Sequence, residues 1–253
     1  MGARGQKHVA LVPNLAEPYD LQVMAGISKH VRERANWSVY VPPDPVHQVA
    51  MLENWRGDGI IANMDDPSLA SVIRKKGVPA VGFGGGASFT TSRINYLATD
   101  NRAIGALGAQ HLLERGFTRF GYCAMPRSAR YQPWSRDRGA AFREEVEREG
   151  FSCSLFSASA EVSLDWDQLL KALIQSIESF DFPSNFMPAY YLRALHVLEA
   201  CRALQVRVPD ELAVLGVDNQ EVICELAEPK LSSIVQGGWQ VGAMASERLQ
   251  VMK

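Results

Sequence analysis

The chain has 253 residues, of which 47% are hydrophobic and 21% charged, a composition typical of a folded protein and not of a disordered segment. Its formal net charge of -2 provides no excess of Lys and Arg for holding a phosphate backbone, so any DNA contact is expected to lie elsewhere. Its apolar stretches are shorter than the roughly 20 residues of a membrane span, and its N-terminus enters a strand without a secretory signal, which predicts a cytoplasmic protein with no membrane partner.

Strands and helices alternate along the first part of the chain. Residues 19–35 have Leu21, Met24, Ile27 and Val31 at helical spacing, and buried-strand patterns precede and follow them. The predicted strands are 7–14, 37–43, 57–66 and 78–86, and the predicted helices are 19–35, 46–55 and 67–77. This order predicts a doubly wound parallel α/β sheet.

A second series follows the polar link 87–101, in which Thr99, Asp100 or Asn101 can cap the next helix. The predicted strands are 117–125, 151–158, 185–189 and 212–217, and the predicted helices are 102–116, 135–150, 165–180, 191–204 and 239–252. Two α/β lobes, joined by crossing segments near residues 97 and 236, are the simplest arrangement for these elements.

Polar and aromatic side chains follow several of the predicted strands. They are Tyr19 and Asp20, Asp65 and Asp66, Phe83, and Asp218 with Asn219. Ligands of parallel sheets bind at the carboxyl ends of the strands, where carboxylates and amides orient hydroxyls and rings cover the C–H surface of a sugar. Taken singly, Asp65 and Asp66 are better explained as turn or helix-cap residues, and Asp218 fits a turn or cap as well as a ligand contact.

No cofactor or metal site is predicted. The four cysteines form no C-x-x-C pair and are read as structural thiols, and the histidines lack ligand spacing. The glycine run 82–86 precedes a polar Ser/Thr segment instead of opening a helix, which favours a flexible or cleft-lining segment over a phosphate loop. Neither a G-x-S-x-G elbow nor a Cys-His pair supplies a nucleophile.

Several longer motifs carry a family resemblance. The stretches ATDNRAIGALGAQHLLERGFTRFGYCAM, RDRGAAFREEV, VPDELAVLGVDN and LSSIVQ resemble the ligand-binding core of lactose-repressor/galactose-repressor regulators. Within that group, YDLQVMAGISKHV, WRGDGIIANMDD, VPAVGFGGG and PWSRDRGAAF are similar to the bacterial xylose operon regulators. The resemblance covers most of the chain.

The resemblance implies a periplasmic-binding-protein-like fold of type I. It places residues 1–96 and 237–253 in an N-terminal lobe and 97–236 in a C-terminal lobe, with a monosaccharide in the cleft between them. It also implies an arabinose-regulator-type helix-turn-helix domain, which we expect to follow residue 253, so that this chain is a fragment that contacts no DNA by itself.

Ligand residues are also implied by the resemblance. Asp218 would hold sugar hydroxyls with Asn219 holding its loop, Arg138 would face it across the ligand, and Gln236 completes the set. Without the resemblance, an ion pair of Arg138 with Asp137 or Glu145 is equally favoured. Tyr191 stands where the family pattern has an Asp, so it either contacts a different sugar or packs beneath the cleft.

The sequence therefore predicts a sugar-sensing domain of a transcription regulator that forms a homodimer and performs no chemistry. A pentose such as xylose is the favoured effector. The alternatives are a transport-type sugar-binding protein and, from another class, an α/β sugar-modifying enzyme, which turnover of a pentose would reveal.

Overall fold

The computed structural model describes residues 5–42, 47–85, 94–126 and 132–252, and the chain divides into two compact units. Unit 1 comprises residues 1–99 and 237–253, and unit 2 comprises residues 100–236. Gly86, most of the polar link and the ends of two predicted elements near residue 45 lie outside the described residues.

Unit 1 is a parallel sheet in the order β2-β1-β3-β4-β5. Its strands are β1 (Lys7–Val12), β2 (Trp37–Tyr40), β3 (Gly59–Asn63), β4 (Ala80–Gly84) and β5 (Asn95–Ala98). Its helices are α1 (Pro18–Arg34), α2 (Gln48–Glu53), α3 (Pro67–Lys76) and α10 (Gly238–Val251). Helices α1 and α10 cover one apolar face of the sheet, and α2 and α3 cover the other.

Unit 2 repeats this plan with the strand order β10-β9-β8-β6-β7. Its strands are β6 (Phe120–Cys123), β7 (Cys153–Phe156), β8 (Ser184–Pro188), β9 (Leu212–Val217) and β10 (Ser232–Ile234). Its helices are α4 (Asn101–Leu113), α5 (Gln132–Arg148), α6 (Ala160–Leu164), α7 (Trp166–Glu178), α8 (Tyr191–Leu204) and α9 (Glu221–Leu226). Helices α4 and α5 pack on one face, and α7 and α8 pack on the other.

The predicted fold class is confirmed, because each unit has a parallel sheet with helices on both faces. In each sheet the strand order reverses beside the first strand, at β1/β3 in unit 1 and at β6/β8 in unit 2. Such reversal points leave a crevice at the carboxyl ends of the strands. Among the described residues, no helix is both long and apolar enough to cross a bilayer.

Candidate functional site

The buried carboxylate of Asp20 lies at the strand-order reversal of unit 1. It sits in the first turn of α1 and is 1% exposed. The backbone N–H of Asn14, just after β1, donates to Oδ2 at 2.6 Å. Asn63, the last residue of β3, donates from Nδ2 to both carboxylate oxygens at 3.0 Å. Because β1 and β3 are neighbours, the chain after each strand delivers a donor to the same acid.

Burial raises the pKa of Asp20 to about 7. The hydrogen bonds from Asn14 and Asn63 oppose this shift, while the negative charges of Asp65 and Glu17 reinforce it. Loss of hydration disfavours the charged form of a carboxyl more than two donors can offset here. Asp20 is therefore an acid that exchanges a proton near neutral pH.

Asp65 follows β3 and is held by the glycine run after β4. The backbone N–H of Gly85 donates to both carboxylate oxygens of Asp65 at 3.1 and 3.3 Å. The backbone N–H of Asp65 donates to Asn63 Oδ1 at 2.8 Å. Gly84 has φ of +150°, and a Cβ at this residue would lie 2.4 Å from Asp65 Oδ1. The glycines thus allow a close approach to a carboxylate of the protein itself. Asp66 instead caps α3 through the N–H of Ser68.

The two predicted aromatic residues of unit 1 occupy different depths. Phe83 is 1% exposed and belongs to the core, whereas Tyr19 is half-buried, with the ring centroids 6.5 Å apart. The Tyr19 hydroxyl accepts a hydrogen bond from Thr99 Oγ1 at 3.1 Å. Phe83 therefore supports the ring of Tyr19, which is the one of the two that remains partly accessible.

Arg138, on α5, supplies a buried guanidinium in unit 2. It is 2% exposed, and its Nε and Nη2 donate to Asn101 Oδ1 at 3.2 and 2.6 Å. Its Nη1 donates to the carbonyl of Ala189, after β8, and its Nη2 also donates to Gln236 Oε1 at 2.9 Å.

The alternative of a surface ion pair for Arg138 is wrong. Asp137 pairs with Arg136, whereas Glu145 pairs with Arg148 and accepts a hydrogen bond from Gln110 of α4. Arg138 is instead buried, with its guanidinium donating to Asn101 of α4.

Asp218 directly follows β9 and is 4% exposed. Its Oδ1 accepts a hydrogen bond from Gln236 Nε2, and its Oδ2 accepts one from the backbone N–H of Tyr191 at 3.1 Å. Burial raises the pKa of Asp218, while the charge of Arg138 and the Tyr191 N–H oppose the shift. Because Tyr191 is the first residue of α8, this hydrogen bond stabilises the start of that helix. Asp218 therefore has a structural role in addition to its contact with Gln236.

Gln236 joins these groups into one network. It accepts from Arg138 and donates to Asp218, so the sequence Asn101, Arg138, Gln236, Asp218 is continuously hydrogen-bonded. We call these four residues the Arg138 network. Arg138 and Asp218 are thus linked through an amide of the protein, where the sequence led us to expect a ligand separating them.

Asn101 belongs to this network, although the sequence predicts it only as a possible cap of α4. The cap of α4 is Asp100, which accepts from the N–H of Ala103, and this leaves the Asn101 side chain, 8% exposed, for Arg138. The sequence signal for this role is the position of Asn101, because it lies in the first turn of α4 directly after the cap residue.

Aromatic rings surround the network. The Trp134 ring lies 4.8 Å from Arg138 Cζ and 6.1 Å from the Tyr190 ring, and Tyr190 contacts Tyr191 edge to face at 5.8 Å. Tyr191 is half-buried. Asn219 differs from the other predicted residues because it is exposed, and its backbone N–H donates to Ser233 Oγ. Asp218 and Asn219 both have positive φ, of +91° and +44°, and these conformations turn the chain after β9.

Two sets of predicted residues are therefore assembled, one in each unit. Tyr19, Asp20, Asp65 and Phe83 are grouped in unit 1, and Arg138, Tyr191, Asp218 and Gln236 are grouped in unit 2. Among the described residues, no three His, Cys, Asp or Glu side chains are grouped as metal ligands. Charged donors and acceptors beside aromatic rings form a surface that can hold a polyol.

A family model described as a periplasmic binding protein-like domain matches residues 109–253. The chain belongs to this family. A model described as the XylR N-terminal domain matches residues 8–102 of this periplasmic binding protein-like chain. Together the two matches cover both units.

The xylose operon regulatory protein of Escherichia coli (strain K12) is 29% identical over 244 residues, covering 95% of this chain and 62% of that protein. A solved structure titled as the xylose-binding transcription activator xylR superimposes with a TM-score of 0.81 at 27% identity, over 98% of this chain and 63% of that one. This periplasmic binding protein-like chain thus spans about three fifths of the relatives it matches, and its resemblance to xylose operon regulators is confirmed. The regulator CelR in complex with cellobiose, at 23% identity and a TM-score of 0.73, shows the same fold.

Proposed function

We propose that this chain is the effector-binding part of a sugar-responsive transcription regulator, and that its effector is a monosaccharide, with a pentose such as xylose favoured. The relatives are xylose operon regulators, and one of their structures is titled as xylose-binding. Binding, without turnover, is the output of such a domain. Because a ligand shifts an equilibrium only by its difference in affinity between two states, the sugar must bind one conformation of the regulator more tightly.

The Arg138 network is the observation that carries this proposal. Its donors and acceptors satisfy one another through Gln236, whose single amide contacts both the guanidinium and the carboxylate. A hydroxyl both donates and accepts, so neighbouring hydroxyls of a sugar can take over either contact. We therefore assign sugar recognition to Arg138, Asp218 and Gln236, with the ring of Tyr191 beside them.

Tyr191 defines the preference among sugars. An Asp at this position would accept hydrogen bonds from hydroxyls, whereas the Tyr phenol offers one donor and an apolar ring. We expect this chain to prefer a sugar that presents a C–H face or a hydroxyl acceptor to that ring.

The wider assembly is part of the same proposal. We propose a cytoplasmic homodimer, with the two lobes 1–96 plus 237–253 and 97–236, in which DNA is contacted by a separate helix-turn-helix domain of the regulator. The net charge of -2 supports this division, because tight DNA binding requires clustered positive charge.

Titration calorimetry with a panel of pentoses and hexoses tests the proposal, alongside thermal unfolding with the same sugars. A sugar at 100 times its dissociation constant stabilises the protein by about 2.7 kcal/mol. We expect at least one monosaccharide to bind and to be recovered without chemical conversion. Silence across the panel would contradict the sensor assignment, and conversion of the sugar to product would favour the enzyme alternative.

Asp218→Asn is the informative variant. It retains an oxygen for the Tyr191 N–H and so keeps the start of α8, but it removes the charge that strengthens hydrogen bonds from sugar hydroxyls. We expect it to weaken sugar binding about tenfold, with Asp218→Ala weaker still and less stable. The exposed Asp210→Asn is the control and leaves affinity unchanged. Wild-type affinity in Asp218→Asn would remove Asp218 from the site.

A further inference from the structure

Arg193 is a buried arginine that the sugar site does not use. It is the third residue of α8, is 2% exposed, and has the largest fully buried side chain among the described residues. Its Nε and Nη1 atoms have no hydrogen-bond partner among the described residues. Arg138, equally buried, bonds to Asn101, Ala189 and Gln236, so a buried guanidinium in this chain is otherwise fully paired.

No counter-charge accompanies Arg193 in the described part of the chain. Its positive charge contributes to lowering the pKa of the Cys123 thiol and that of the His196 imidazole. Burial raises the pKa of Cys123 to about 12 and lowers that of His196 to about 4, so both are neutral at pH 7. A buried charge without a partner is destabilising, so an anion that pairs with it would stabilise the folded protein.

A second buried polar atom without a partner lies one turn along the same helix. His196, one turn after Arg193 on α8, has an unpaired Nδ1, and its ring contacts Trp166 at the start of α7 at 5.1 Å. The positive end of the α8 dipole lies within the same turn as Arg193. The imidazole can donate a hydrogen bond to an anion, and the helix dipole favours the negative charge.

We propose that Arg193, with His196, forms a binding site for a small oxyanion, either a carboxylate or a phosphate group. The planar guanidinium donates from adjacent nitrogens to two oxygens of one such group, and the neutral imidazole adds a single donor. This site is separate from the sugar site, because Arg193 lies two residues from Tyr191 and so projects from nearly the opposite side of α8. It does not rest on the proposed function.

Replacing chloride by inorganic phosphate at constant ionic strength, with thermal unfolding as the readout, tests the site. We expect a saturable rise in Tm for the wild-type chain and a phosphate dissociation constant at least tenfold weaker in Arg193→Met. Arg202→Met is the matched control, because Arg202 is on the same helix but exposed and paired with Glu199. Its response should equal that of the wild type.

The outcomes separate cleanly. If the wild type responds to neither phosphate nor acetate, or if Arg193→Met responds as strongly as the wild type, the anion site is wrong. Arg193→Lys keeps the charge but loses the paired nitrogens, so a folded Lys variant with a weakened response supports the site even if the Met variant does not fold. A hexose monophosphate that stabilises more than inorganic phosphate would identify a phosphorylated ligand as the source, whereas an equal response would identify the free anion.

Discussion

Two acids, Asp20 and Asp218, define the chemistry of this protein at the level of single residues. Each is buried at the carboxyl end of a parallel sheet, has a pKa raised by burial, and faces a side-chain amide, Asn63 in unit 1 and Gln236 in unit 2. Both acids were predictable because each follows an apolar strand. Their partner Gln236 was implied only by resemblance, since a hydrogen bond between side chains 18 residues apart depends on tertiary structure.

Asp20 predicts a pH dependence of stability. Its pKa of about 7 in the folded protein lies above that of an unfolded Asp, so the folded state binds more protons between these values. The stability associated with this group is complete below the unfolded pKa and is lost as pH rises through 7. Asp20→Asn removes the ionisation, so the wild type should lose on the order of 2 kcal/mol relative to the variant between pH 5 and 8.

Urea unfolding at several pH values measures this difference. Asp181→Asn, at an exposed position, serves as the control and should follow the pH dependence of the wild type. Parallel stability curves for the wild type and Asp20→Asn across this range would show that Asp20 ionises as an ordinary surface acid.

Helices and strands differ in how far the sequence predicts them. Helix α8 begins and ends as predicted, at Tyr191 and Leu204, and β9 likewise spans Leu212–Val217. The short elements β5, α6, α9 and β10 were not predicted. Strand β5 has four residues in a polar segment and pairs with β4. It forms because of this tertiary pairing, and its local sequence shows no strand pattern.

The packing of α4 on α5 predicts the effect of a single methyl group. A Cβ at Gly105 on α4 would lie 2.0 Å from the Arg138 carbonyl oxygen on α5, so Gly105→Ala must separate the two helices. Asn101 and Arg138 stand on these same helices and would move apart. We expect a loss of about 1–3 kcal/mol in the free energy of unfolding and a several-fold loss of sugar affinity.

Gly116→Ala is the control for this element. Gly116 has φ of +79° and open space at its Cβ position, so Ala costs about 1 kcal/mol of backbone strain without moving α5. Its sugar affinity should stay at the wild-type value. Unfolding curves and calorimetry on both variants decide, and equal affinities in the two would show that helix spacing does not control the Arg138 network.

At the scale of the whole molecule, the two units share the same arrangement of polar residues on a parallel sheet. Both units place their polar residues beside the central strand where the strand order reverses, because β3 and β8 each pass to the opposite side of the first strand. Crossovers in parallel sheets are right-handed, so this reversal sends helices to both faces and leaves a crevice lined by strand ends. The alternation of elements predicted this architecture, while the partners within each crevice required three-dimensional structure.

The charge and the proposed dimer together predict how the 253-residue chain behaves in solution. Its net charge of -2 leaves little counterion release to drive binding to DNA, and a regulator of paired half-sites requires two-fold association. Sedimentation with fluorescent promoter DNA at physiological salt should show the protein as a dimer at micromolar concentration and the DNA unshifted. A protein that stays monomeric at high micromolar concentration would contradict the dimer. Co-sedimentation of the DNA that weakens steeply with added salt would place a nucleic-acid-binding surface within these residues. It would contradict the proposal that a separate helix-turn-helix domain contacts DNA.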